Sequence, residues 1–105
     1  MAVKKQFQSF EEMLAGSDIP VLVDFYADWC GPCRMMSGIL EQVQAQMKQK
    51  VQVVKINTEK YTELASQYQI YALPTLLVFK DGQPVDRIEG VLPPEKIIQR
   101  LQPLL

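Results

Sequence analysis

Histidine is absent from this chain, and cysteine occurs only twice, at Cys30 and Cys33. A structural zinc ion usually takes four protein ligands drawn largely from those two residue types. An ordinary zinc site within one chain is thereby excluded, leaving a site shared between chains or copper(I) on two thiolates. Charge of one sign is lacking as well: 11 Lys and Arg against 12 Asp and Glu give a net charge of −1. That balance offers no electrostatic case for binding nucleic acid or an anionic membrane surface. No stretch approaches the roughly 18 consecutive apolar residues of a membrane span. Internal repeats and low-complexity blocks are missing too.

What is present is the composition of a globular chain, with 48% hydrophobic and 22% charged residues in 105 positions. That length matches one compact domain, residues 1–105, with one buried core. The N-terminal run Met1 to Phe7 is basic, but Gln8, Ser9, Glu11 and Glu12 follow where a secretory leader needs an apolar stretch. It reads as mature protein and predicts a cytoplasmic or equivalent reducing location. In such a compartment a cysteine pair is more often catalytic or metal-binding than a structural staple.

The patterning predicts alternating strands and helices. Val3 to Phe7 is a strand candidate, and Ser9-Phe10-Glu11-Glu12 has capping-box spacing for a helix that carries Phe10, Met13 and Leu14 and stops at Gly16. Val21 to Ala27 is a nearly continuous apolar run, as in a central strand covered on both faces. Arg34 to Lys48 follows as an amphipathic helix with Met36, Ile39, Leu40, Val43 and Met47 at helical spacing, and Met35 is assigned to the same core. Val51 to Ile56 is β-branched and reads as a third strand. Tyr61, Leu64, Ala65 and Tyr68 recur as one face of a helix. Thr75 to Phe79 is a buried strand, joined through the turn signal Asp81-Gly82 to an antiparallel partner at Val85 to Glu89. Pro93 and Pro94 open a last helix with Ile97, Ile98 and Leu101, limited by Pro103. Strands alternating with helices imply parallel pairing with right-handed crossovers, and the terminal hairpin makes the sheet mixed: an α/β fold, five strands with helices on both faces.

Within that frame two features carry chemistry. Cys30 and Cys33 stand two residues apart where strand gives way to helix, a spacing suited to a reversible disulfide. The unpaired N–H groups and positive dipole end of a helix start favour thiolate over thiol. Asp24 interrupts the apolar run Val21-Leu22-Val23 and Phe25-Tyr26. A carboxyl group buried there has a raised pKa and can exchange protons with a nearby thiol.

Trp29-Cys30-Gly31-Pro32-Cys33, Val23-Asp24-Phe25, Leu73-Pro74-Thr75 and Lys80-Asp81-Gly82 occur in this order inside the matching element pattern. Over essentially its whole length the chain resembles the thioredoxin family. The resemblance implies a thioredoxin fold and a protein-disulfide reductase working without cofactor or metal. It would act on disulfide-containing target proteins and be re-reduced by a thioredoxin reductase, NADPH- or ferredoxin-linked, and it would be a monomer. Cys30 would be the exposed attacking thiolate, because its sulfur can face the N–H groups of the turn. Cys33, more buried, would resolve the mixed disulfide and leave a Cys30–Cys33 disulfide. Asp24 would serve Cys33 as proton acceptor and donor, tuned by Lys55. Trp29 would offer an apolar docking surface beside Gly31 and Pro32. Leu73, a cis Pro74, Thr75, Gly90 and Val91 would border the substrate.

Gly31 and Pro32 carry no charge that would stabilise the thiolate, where oxidising relatives often place histidine, and so favour reduction. Three positions depart from the family pattern: Tyr26 stands for a common tryptophan, Leu73 for isoleucine, and Gly38 for a mid-helix proline. Gly38 removes a kink but costs roughly 1 kcal/mol of helix propensity against alanine. Beside the reductase stand a metal-binding protein using the cysteine pair and a redox-inert interaction module that keeps the fold.

Overall fold

The computed structural model describes the backbone of residues 2–105 and the side chains from Ser9 onward. The element order is α1 (Ala2–Gly16), β1 (Val21–Tyr26), α2 (Gly31–Gln46), β2 (Gln52–Asn57), α3 (Thr62–Gln67), β3 (Thr75–Lys80), β4 (Gln83–Glu89) and α4 (Pro94–Leu101). A 3₁₀ turn at Gln102–Leu104 follows, and Pro103 sits within it.

The strand expected at Val3 to Phe7 is helix instead, so the sheet among the described residues has four strands, not five. Val3 is the sole β-branched residue in residues 2–16, and no proline or glycine intervenes before Gly16. Lys, Gln, Glu, Ala, Met and Leu all favour helix, which carries the first element through Ser9 without a break.

Strands lie in the order β2-β1-β3-β4. Only β1 and β2 run parallel; β3 is antiparallel to β1, and β4 to β3. Parallel pairing therefore holds for one pair, because α3 is a short helix of 6 residues and the chain after it turns back before β3. At the β3–β4 hairpin both Asp81 (φ 53°) and Gly82 (φ 80°) have positive φ, as a two-residue primed turn requires. A Cβ on Gly82 would stand 3.3 Å from the Ala15 Cα, so the tip of the hairpin touches the end of α1.

Period-two alternation divides the core between the two sheet faces. On one face Leu22, Leu76, Val78 and Ile88 meet Met36, Leu40 and Val43 of α2 and Ile97 and Leu101 of α4. On the other, Val21, Val23, Phe25, Leu77 and Phe79 meet Phe10 and Leu14 of α1 and Leu64 of α3. Tyr68 packs edge-on against Phe79 at 5.3 Å between ring centroids. Asp24 lies between Leu22 and Tyr26 in the alternation and so faces the α2 side.

Candidate active site

The end of β1 delivers the site. After Tyr26 the chain makes a turn in which the Cys30 N–H donates to the Ala27 carbonyl at 3.3 Å. Cys30 is the N-cap of α2, and its sulfur accepts from the Cys33 N–H at 3.2 Å. Pro32 fits the first helical turn because its missing N–H is not required there. Cys30 and Cys33 are joined as a disulfide with Cα atoms 5.2 Å apart. The sulfur of Cys30 thus lies at the positive end of a helix, where a thiolate is stabilised by an N–H and by the dipole.

The expected contrast in exposure is not there: Cys30 is 5% and Cys33 4% accessible. The bridge tucks both sulfurs into a small apolar cluster with Ala27, Tyr26 and Leu73. What separates the two cysteines is the space each borders. Cys30 lines a groove of about 530 Å³ together with Trp29, Gly31, Pro32, Thr58, Ile70, Tyr71 and Leu73. Cys33 lines a different, smaller cavity of about 160 Å³, with Tyr26, Asp28, Arg34, Ser37 and Lys55.

Asp24 is fully buried, and neither carboxyl oxygen has a hydrogen-bond partner among the described residues. Burial pushes its pKa up to about 6, a rise that the positive charge of Lys55 partly opposes. Lys55 is its register partner across β1 and β2. The ammonium does not contact the carboxylate, however; it donates to Ser37 Oγ at 2.6 Å and stands 5.4 Å from the centroid of the Tyr26 ring.

On the groove side Trp29 is 68% accessible, and its indole N–H donates to Glu59 Oε2 at 3.0 Å. The Leu73–Pro74 peptide is cis, and Pro74 itself is buried. Thr75 is buried too and donates its hydroxyl to the Ala72 carbonyl at 2.6 Å. The Gly90 N–H donates to the Pro74 carbonyl at 2.9 Å, and Val91 packs on the α2–α4 side of the core. Of the residues named from sequence, Trp29, Cys30, Gly31, Pro32 and Leu73 therefore come together at the groove. Pro74, Thr75, Gly90 and Val91 are not among its lining residues.

Several contributors were not legible beforehand. Tyr71, at 85% accessible, lines the groove with Ile70 and Thr58. The available signal was a large aromatic residue placed after the end of a helical stripe and just before Leu73-Pro74. Met35, assigned to the core, is 63% accessible because it sits one position off the buried stripe of Cys33, Met36, Leu40 and Val43. Behind the groove, Arg87 on β4 donates to the carbonyls of Tyr68, at 2.9 Å, and Gln69, and to Glu89 Oε2 at 3.2 Å. Its guanidinium so satisfies the carbonyls left open where α3 ends. Among the described residues no group of three or more His, Cys, Asp and Glu side chains converges to hold a metal ion. No helix among them is long and apolar enough to cross a membrane.

Comparison with known proteins places these features in a family. A family model described as Thioredoxin matches residues 1–103. A thioredoxin-like protein of the cyanobacterium Synechocystis sp. is 65% identical over 102 residues, covering 97% of both chains. The chloroplastic thioredoxin Y1 of Arabidopsis thaliana is 55% identical over 101 residues; the match takes in 96% of this chain but 59% of that longer protein. Among solved structures, oxidized mitochondrial thioredoxin 3 from Saccharomyces cerevisiae superposes with a TM-score of 0.84 at 29% identity, covering 92% of this chain and 89% of the other.

Proposed function

The chain belongs to the thioredoxin family and is a thiol-disulfide oxidoreductase, and we propose that it reduces target-protein disulfides with Cys30 as nucleophile and Cys33 as resolving thiol. The observation that carries this division is the different surroundings of the two sulfurs: Cys30 borders the larger, apolar groove with Trp29, Tyr71 and Leu73, and Cys33 the smaller space lined by Asp28, Arg34, Ser37 and Lys55. A target disulfide entering the groove meets Cys30. Its thiolate attacks one target sulfur; the other leaves as a thiolate and takes up a proton, and a mixed disulfide forms.

Asp24, on the face of β1 turned toward α2, accepts the proton of the Cys33 thiol. The Cys33 thiolate then attacks the Cys30 sulfur, and the second target sulfur departs. Two electrons have moved to the target, and the Cys30–Cys33 disulfide remains. Lys55 moderates the charge of Asp24. A reductase restores the dithiol, either a flavin enzyme drawing on NADPH or a ferredoxin-linked one. The protein works as a monomer and a single domain over residues 1–105, in the cytoplasm or an equivalent reducing compartment.

Trp29, Tyr71, Ile70 and Leu73 give the groove an apolar lining without a charged side chain, suited to extended segments with apolar residues beside the cysteine. Trapping tests the division of labour. Cys33→Ser accumulates mixed disulfides with target proteins, and Cys30→Ser does not; the opposite preference would overturn it. Assaying insulin-disulfide reduction with each class of reductase identifies the electron donor.

A further inference from the structure

The Lys55 ammonium has one hydrogen-bond acceptor, Ser37, and stands near one carboxyl group that it does not contact, Asp24. Asp24 is its register partner on β1, buried and without a donor. Ser37, half-buried on α2, receives its N–H at 2.6 Å. Ser37 stands four residues after Cys33 and therefore on the same helix face, and both line the 160 Å³ cavity with Lys55. A lysine head on an exposed strand residue ordinarily extends to bulk water on its flexible stem. Here a neutral hydroxyl keeps it at the cavity.

We propose that Ser37 is a positioning residue, whose hydroxyl holds the Lys55 ammonium beside the cavity that Cys33 lines and so keeps positive charge near Asp24. The charged and titratable groups around this space are Lys55 from β2, Cys33 and Arg34 from α2, Asp28 from the turn, and Tyr26 from β1. From β3, Asp24 meets the apolar Leu76 as its register partner. Arg34 is engaged with the Asp28 carbonyl at 3.2 Å. Lys55 is thus the cation here whose placement depends on a side-chain hydroxyl. Without it the head relaxes toward solvent and its field at Asp24 weakens. The burial of Asp24, which already raises its pKa, then acts less opposed.

The functional consequence rests on Asp24 being the proton acceptor, and the test separates the two claims. Titration of the Asp24 side-chain carboxyl by ¹³C NMR, on the oxidised protein, is compared in wild type, Ser37→Ala, Ser37→Thr, Lys55→Gln and the Ser37→Ala, Lys55→Gln double variant. Ser37→Ala raises the midpoint by on the order of half a pH unit, the effect of moving a unit charge a few ångströms outward near a protein surface. Ser37→Thr leaves the midpoint at the wild-type value. Lys55→Gln raises it at least as far, and adding Ser37→Ala then changes nothing further. An unmoved or lowered midpoint in Ser37→Ala, or an undiminished effect in the Lys55→Gln background, overturns the proposal. A midpoint that moves while the pH–rate profile stays put supports the positioning of Lys55 and refutes instead the proton-transfer role of Asp24.

Discussion

Replacing Asp24 by asparagine should change the pH dependence of stability, not merely its level. The wild-type carboxyl is raised from an ordinary 3.8 to about 6 by burial. Well below pH 3.8 it is protonated in folded and unfolded chains alike and imposes no ionisation cost. Between pH 4 and 6 the unfolded chain gives up its proton first, so stability falls as pH rises. Above pH 6 the folded protein carries the full cost of a buried carboxylate, about 3 kcal/mol at roughly 1.4 kcal/mol per pH unit. Asparagine does not ionise, so its own packing and hydrogen-bond costs are constant across this range. The difference in unfolding free energy between Asp24→Asn and wild type should therefore rise by about 3 kcal/mol in favour of the variant from pH 2 to pH 8. Urea unfolding of the oxidised proteins, followed by far-UV circular dichroism at several pH values, measures that difference. Two parallel stability curves, offset by a constant, would refute the buried, unpaired state assigned to Asp24.

Two further outcomes test the fold and the groove. Gly38 lies exposed in the middle of α2, and an added Cβ meets nothing within 4 Å; Gly38→Ala should stabilise the protein by about 1 kcal/mol in chemical denaturation. Tyr71→Ala removes an aromatic face from the groove lining. It should raise KM for a protein disulfide about tenfold, equivalent to ~1.4 kcal/mol, while reduction of a small disulfide that does not fill the groove stays at the wild-type rate. An equal loss on both substrates would assign Tyr71 to the integrity of the disulfide site.

Sequence patterning revealed the elements whose burial is strongly periodic and missed those decided elsewhere. The apolar run around Asp24 identified both a central strand and the one charged residue inside it, because a buried carboxylate is conspicuous among Val, Leu and Phe. Val3 to Phe7 misled because a short mixed stretch carries little period, and helix propensity summed from Ala2 to Gly16 decided it. Met35 lies beside the apolar stripe of α2 and reads as core, although one position around a helix is 100° and takes a side chain from core to water. The cysteine pair and its helix start were legible in the local spacing. The groove was not, since Thr58, Ile70 and Tyr71 reach Cys30 only through the tertiary arrangement of β2, α3 and the chain before β3. Ser37 gave no signal at all, being an unremarked serine on an amphipathic helix until β2 set Lys55 beside it.

The stretch that carries Tyr71 and Leu73 is fastened at both ends from β4 and the residue after it. Upstream, the Arg87 guanidinium grips the Tyr68 and Gln69 carbonyls; downstream, the Gly90 N–H grips the Pro74 carbonyl. One wall of the groove is therefore suspended from an edge strand that contributes no lining residue of its own. With the groove as the proposed docking site, target selectivity has a rear adjustment. Substitutions on the far margin of the sheet can reshape which partners fit while leaving the two sulfurs untouched.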